Sequence, residues 1–154
     1  MKFFKIIKYY TGRKASFFSV ITDDNQDDEF SLLAERLYST EHKDKLLKLI
    51  SKIQIMADKT GTRDFFKDEG ANLVFRFNID NDEAYPIRIY CIKYGSENII
   101  LGGGGIKLPT TQTYQEQDDL NSAVTLLRTV DKTLNESNIK GYEIPKVLDC
   151  KFEL

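Results

Sequence analysis

The chain has no tryptophan, a single histidine, His42, and two cysteines, Cys91 and Cys150. One imidazole excludes a multi-histidine metal centre, and the cysteines have neither metal-ligand spacing nor the proximity of a redox pair. Free thiols in a reducing cytoplasm are the expectation. No apolar stretch approaches the length of a membrane span. The N-terminal run MKFFKIIKYY is interrupted by Lys2, Lys5 and Lys8 and is followed by no small-residue cleavage site, so it reads as a strand and not as a secretory signal. Charge of one sign is also missing in bulk. A formal net charge of -2 and a pI near 5.5 argue against indiscriminate binding of nucleic acid, so any polyanion site must be a local patch.

The 154 residues, 41% hydrophobic with ten Phe and eight Tyr, suffice for one globular unit with an aromatic-rich core. Central to it is the stretch from Phe65 to Lys107, whose pattern predicts three consecutive β-strands. In Asn72 to Ile79, Leu73, Phe75, Phe77 and Ile79 alternate with Val74, Arg76 and Asn78. A loop of Asp80, Asn81, Asp82 and Glu83 leads into Pro86 to Tyr94. There Ile87, Ile89 and Cys91 share one face, while Arg88, Tyr90 and Tyr94 share the other. After a turn at Gly95 to Glu97, Asn98 to Leu101 forms a short third strand ending in four glycines, Ile106 and Lys107. The expected product is an antiparallel meander with a cationic outer face.

If the first hairpin closes symmetrically about Asp82, Arg76 faces Arg88. Like charges opposite one another on a sheet are unfavourable, so either acidic side chains elsewhere neutralise the pair or Arg76, Arg88 and Lys107 form a phosphate site. Gly102 to Gly105 do not match a nucleotide P-loop, because Lys107 lacks the glycine before it and the Ser or Thr after it. A bend or bulge that lets backbones approach closely is the expected role.

Around the meander, Lys2 to Tyr10 and Ala15 to Ile21 read as a hairpin turned at Gly12. Phe30, Leu33, Ala34 and Leu37 recur at helical spacing. A second helix, from about Glu41 to Asp58, has Leu46, Leu49, Ile50, Ile53 and Met56 opposite Lys43, Lys45, Lys48 and Lys52. Those lysines read as a solvated face that an acidic partner could also use. Ser39 or Thr40 is placed to cap the second helix, and Gly61 to end it. Thr62 to Gly70 reads as a connection anchored by Phe65 and Phe66. Gln117 to Glu136 predicts an amphipathic helix with Leu120, Val124, Leu127, Val130 and Leu134 as its apolar stripe. Residues 140–154 are expected to add one or two edge strands, with Pro145 excluding a central one. The fold class is therefore α+β: an antiparallel sheet packed by two N-terminal helices and one C-terminal helix, in a single domain over 1–154.

Three local patterns carry a resemblance: Phe66-Lys67 with Gly70 and Leu73-Val74-Phe75-Arg76; Ile87-Arg88-Ile89-Tyr90; and Ile99 through Lys107. In this order, between a helix pair and a C-terminal helix, they resemble the RelE/ParE superfamily of small bacterial toxins, in particular its HigB-like branch, over roughly Lys2 to Glu136. The resemblance implies a RelE-like fold and the toxin of a type II toxin-antitoxin system. Such a toxin is a metal- and cofactor-independent endoribonuclease that cuts messenger RNA at the ribosome and is held inactive by a small antitoxin protein. Arg88, Arg76 and Lys107 would then stabilise charge at phosphorus, while Lys67, Tyr90 and Tyr114 would contact the RNA. No membrane or DNA partner is implied for the chain alone, and the location is cytoplasmic. The alternative is a non-catalytic RelE-fold protein that binds an antitoxin or a topoisomerase-like target, with its arginines in internal ion pairs. A purely structural module stays open as a third reading.

Overall fold

A computed structural model describes residues 2–62, 66–71, 74–77 and 85–154; within 66–77, side chains are described for Phe66 and Arg76. The first hairpin pairs β1 (Phe3–Thr11) with β2 (Ser16–Thr22), with a bulge between Lys8 and Tyr10. Its turn is held against the end of the second helix. The Ala57 carbonyl accepts the Lys14 and Ala15 amides at 2.7 and 3.1 Å, and a Cβ on Gly12 would lie 2.3 Å from that oxygen. Only glycine fits this approach.

Two helices follow. Asp28 caps α1 (Glu29–Tyr38) by accepting the Ser31 amide at 3.0 Å, and Phe30, Leu33 and Leu37 are its buried stripe. Helix α2 (Lys43–Ile55) begins at His42 without a side-chain cap on its first turn. The expected capping by Thr40 is partial: its hydroxyl accepts the His42 amide at 3.1 Å, just outside the helix. The chain continues as one π-helical turn, Met56–Thr60, which ends at Gly61 with φ +74°, as the glycine predicts.

Among the described residues, the sheet has seven strands in the order β3-β4-β5-β6-β2-β1-β7. Strands β4 (Val74–Phe77), β5 (Ile87–Tyr94) and β6 (Asn98–Ile106) form the predicted antiparallel meander. Three features differ from expectation. The segment read as a connection contains an edge strand, β3 (Phe66–Ala71), paired with β4. Strand β6 continues through all four glycines. The sheet is mixed, because β6 runs parallel to β2, Ser16 to Ser19 opposite Asn98 to Leu101. As expected, the tail adds an edge strand, the two-residue β7 (Phe152–Glu153), against β1, preceded by a 3₁₀ segment, Gly141–Lys146.

Alternation along the strands builds two cores. On one face, Phe17, Ile87, Ile89, Cys91, Ile99 and Leu101 pack under α1 and α2. On the other, Phe4, Ile6, Phe18, Val20, Tyr90, Ile92 and Ile100 pack under α3 (Asp118–Glu136) and Ile144. The molecule is an α+β fold with helices on both faces of the sheet. Cys91 is buried as expected, whereas Cys150 is exposed. Among the described residues, no helix is long and apolar enough to cross a membrane.

Candidate functional site

The arginines predicted to form the site sit on the α3 face of the meander. Arg76 lies directly across from Tyr90, not from Arg88, and Arg88 pairs with Gly105. The expected Arg76–Arg88 juxtaposition is thus replaced by a register that makes the two arginines diagonal rather than directly opposed neighbours, which lessens the like-charge penalty. Lys67 of β3 is in backbone register with Arg76, so Lys67, Arg76 and Tyr90 form one row across three strands. Tyr114, from the 3₁₀ turn before α3, meets Tyr90 edge to face, with ring centroids 6.1 Å apart.

The face itself is closed, contrary to the outer cationic surface expected from the strand pattern. Arg76 is 6% exposed, Arg88 4% and Tyr90 2%. Leu120, Val124, Leu127, Val130 and Leu134 bring α3 down onto this face, and all five are buried. Arg88 Nη1 donates to the backbone carbonyl of Tyr85.

The glycine run explains how a helix packs so close to a strand. A Cβ at Gly102 would meet Leu127, and one at Gly105 would lie 2.1 Å from Asp119 Oδ2. Bare backbone at these positions lets α3 lie flush on β6. The register slips between Ile89 and Cys91, where Tyr90 faces the two glycines Gly102 and Gly103, which is the bulge the sequence predicts. Because Gly105 pairs with Arg88, the Asp119 carboxylate comes down on the Arg88 side of the sheet. Asp119 Oδ1 accepts from Gln117 Nε2 at 2.7 Å and from the Leu120 amide at 2.8 Å, which fixes the side chain. As a residue in the first turn of a helix, Asp119 was legible only as a complement to the macrodipole.

Lys107 lies apart, one residue beyond β6, half-exposed, with its amide bonded to the Pro86 carbonyl at 2.8 Å. Of the six predicted site residues, Arg76, Arg88, Tyr90 and Tyr114 lie under or beside α3. Lys67 shares the row by backbone register, its side chain being outside the described residues, and Lys107 lies at the rim.

A second polar contact pins α3 to the sheet. Tyr94 donates to Asp131 Oδ1 at 2.6 Å; burial, and then this bond, push the Tyr94 phenol well above its ordinary range. Gly141 packs against the Tyr94 ring, and its carbonyl accepts from Asn98 at 3.1 Å. Burial likewise raises the Cys91 thiol, with Lys93 pulling the other way, so the thiol stays protonated. Among the described residues, no cluster of three His, Cys, Asp or Glu side chains is placed to hold a metal ion.

Fold and face together define an α+β protein with a cation-bearing sheet face sealed by its C-terminal helix. Comparison with protein-family models, curated proteins and solved structures returns no match.

Proposed function

We propose that this chain is a non-catalytic protein of the RelE/ParE type that acts by binding another protein. The observation that carries this reading is the burial of Arg76 and Arg88 beneath α3. A phosphodiester can be stabilised only by cations it can touch. Lifting α3 would expose five large aliphatic side chains at roughly 1.5–3 kcal/mol each. The total, about 7.5–15 kcal/mol, is comparable to the about 5–15 kcal/mol that holds a typical domain folded, so the open form is negligibly populated. The bond from Arg88 Nη1 to the Tyr85 carbonyl supports an internal role for that guanidinium. The support for the RelE/ParE type is the order hairpin, helix pair, three-stranded meander and C-terminal helix, with Arg76 and Arg88 on one face.

The second reading is the messenger-RNA endoribonuclease of a type II toxin-antitoxin system. It is favoured by one observation, the grouping of Arg76, Arg88, Tyr90 and Tyr114 on a single face. The two readings separate in one assay. Purified protein is incubated with messenger RNA and ribosomes without added metal, and the RNA is expected to stay intact. Cleavage that disappears in Arg88→Ala, in a variant whose circular dichroism and thermal midpoint match the parent, overturns the non-catalytic reading.

A further inference from the structure

We infer that the leucine-lined cleft between α1 and the start of α3, where β2 parts from β6, is a docking surface for a basic segment of a partner protein. The segment presents a lysine or arginine beside an aliphatic residue. This rests on the partner-binding reading above and names its surface and chemistry. The cleft comes from a split in the sheet. Strand β2 pairs with β6 only as far as Leu101, and beyond that point helices from opposite faces meet across the flank that β2 has left. Three successive glycines there each meet one polar side chain. Glu29 Oε2 would lie 3.6 Å from a Cβ on Gly103, Arg36 Nη2 donates to the Gly104 carbonyl at 3.4 Å, and Asp119 lies over Gly105. Two hollows of about 540 Å³ each adjoin at Arg36. Leu32 lines one; Leu33, Leu37 and Leu108 line the other, with Leu108 52% exposed.

Charge selects the occupant. The cleft sets four carboxylates, Glu29, Glu35, Asp118 and Asp119, against the one guanidinium of Arg36, on a chain whose net charge is only -2. Among the described residues, none of the four is in an ion pair. Asp119 accepts only from the neutral Gln117 carboxamide and the Leu120 amide. Burial raises the Glu29 carboxyl, with Arg36 opposing and Asp28 reinforcing, so a further cation beside it would stabilise its charged form. The flank itself leaves little room for an added strand. Gln117 Nε2 donates to the Ile106 carbonyl at 2.7 Å and its Oε1 accepts the Leu108 amide at 3.1 Å, so one carboxamide takes the place of a neighbouring peptide unit. The occupant therefore binds through side chains, an aliphatic stem on the leucines and a cationic head on the carboxylates. Phosphate groups would be repelled, and among the described residues no three metal-ligating side chains converge.

The test titrates the full chain with a short labelled synthetic peptide, lysines and leucines in a serine and glycine background, read by fluorescence anisotropy. Saturable binding is expected. The double variant Glu35→Lys, Asp118→Lys weakens it roughly tenfold, and the milder Glu35→Gln, Asp118→Asn about threefold, in proteins whose circular dichroism matches the parent. Leu108→Ser weakens it too, but with little dependence on salt. The pair Glu97→Lys, Glu153→Lys, exposed residues before β6 and on β7, changes the net charge as much as the first pair and leaves binding unchanged. Equal binding by all variants, equal loss in the remote pair, equal binding of a peptide with glutamate in place of lysine, or light scattering that shows the cleft filled by a second copy of the chain overturns the proposal. Failure here is distinct from failure of the partner-binding reading, which is decided by cleavage of RNA in the absence of any peptide.

Discussion

The two faces of the sheet are covered by helices in different ways. Under α1 and α2 the contacts are almost wholly aliphatic and aromatic: Leu33, Leu37, Leu46, Leu49 and Ile53 against Phe17, Ile89 and Leu101. Under α3 an aliphatic stripe shares the face with two arginines, three tyrosines and the buried Asp131 carboxylate. The first face is held mainly by area, with the Tyr85 and Ser19 hydrogen bonds among its few polar contacts, whereas the second buries two arginines that must be matched, because a buried donor or charge left alone is expensive. A face built that way fixes the position of its helix more narrowly than an aliphatic one does.

The sharpest way to break this contrast is at the bare strand. A Cβ at Gly104 would lie 1.8 Å from the Arg88 carbonyl oxygen, and no rotamer relieves a backbone clash. Gly104→Ala is expected to lower stability by ~3 kcal/mol or more, measured by urea unfolding, and a near-parental midpoint would contradict the close β5–β6 approach. Next, Leu127→Ala and Leu33→Ala, one on each face, are each expected to cost about 2–5 kcal/mol. The comparison is sharpened if only the first also alters the near-ultraviolet dichroism of the tyrosines packed under α3.

Tyr94→Phe comes third, at about 1–3 kcal/mol, since it leaves the Asp131 carboxylate without the phenol donor. The sign with pH follows from a phenol raised in the folded state. Its contribution is complete below the unfolded value, about 10, and declines as pH climbs toward the folded value. The gap between parent and variant should therefore narrow above that pH; a gap that widens would refute the assignment.

The smallest effect is expected at Glu29 on the α1 face, whose carboxyl is raised by burial, partly opposed by Arg36 and reinforced by Asp28. A raised carboxyl favours the fold when protonated, so Glu29→Gln is expected to raise the thermal midpoint slightly at neutral pH, with the difference shrinking on acidification.

Much of this was legible from periodicity. The hairpin, α1, α2, β5 and α3 announce themselves because each keeps one period over several turns or pleats. Strand β3 did not, since Lys67, Asp68, Glu69 and Gly70 have no apolar alternation and extend only because β4 offers a partner. The continuation of β6 through Gly102 to Gly105 was hidden for a similar reason: glycine has low strand propensity, and packing of α3 overrides it. The largest miss, the burial of the Arg88–Tyr90 face, had a signal in the chain. Ile92 shares that face with Tyr90, and the long stripe from Leu120 to Leu134 required an apolar surface to cover. Two arginines drew the reading toward solvent instead. Lys107, by contrast, is half-exposed, and Asn78 to Ala84, including the acidic loop, lie outside the described residues.

The parallel seam between β2 and β6 joins residues 16–19 to residues 98–101, some eighty positions later in synthesis. A ribosome extending the chain at about 5–20 residues per second leaves the β2 flank of the hairpin unpaired for several seconds, and the β1 flank until β7 emerges. Closing so long a loop is slow in any case. During that interval the newborn N-terminus displays Phe17 and Phe18 beside an unmatched row of amides, an apolar edge open to pairing with other chains before the rest of the chain emerges.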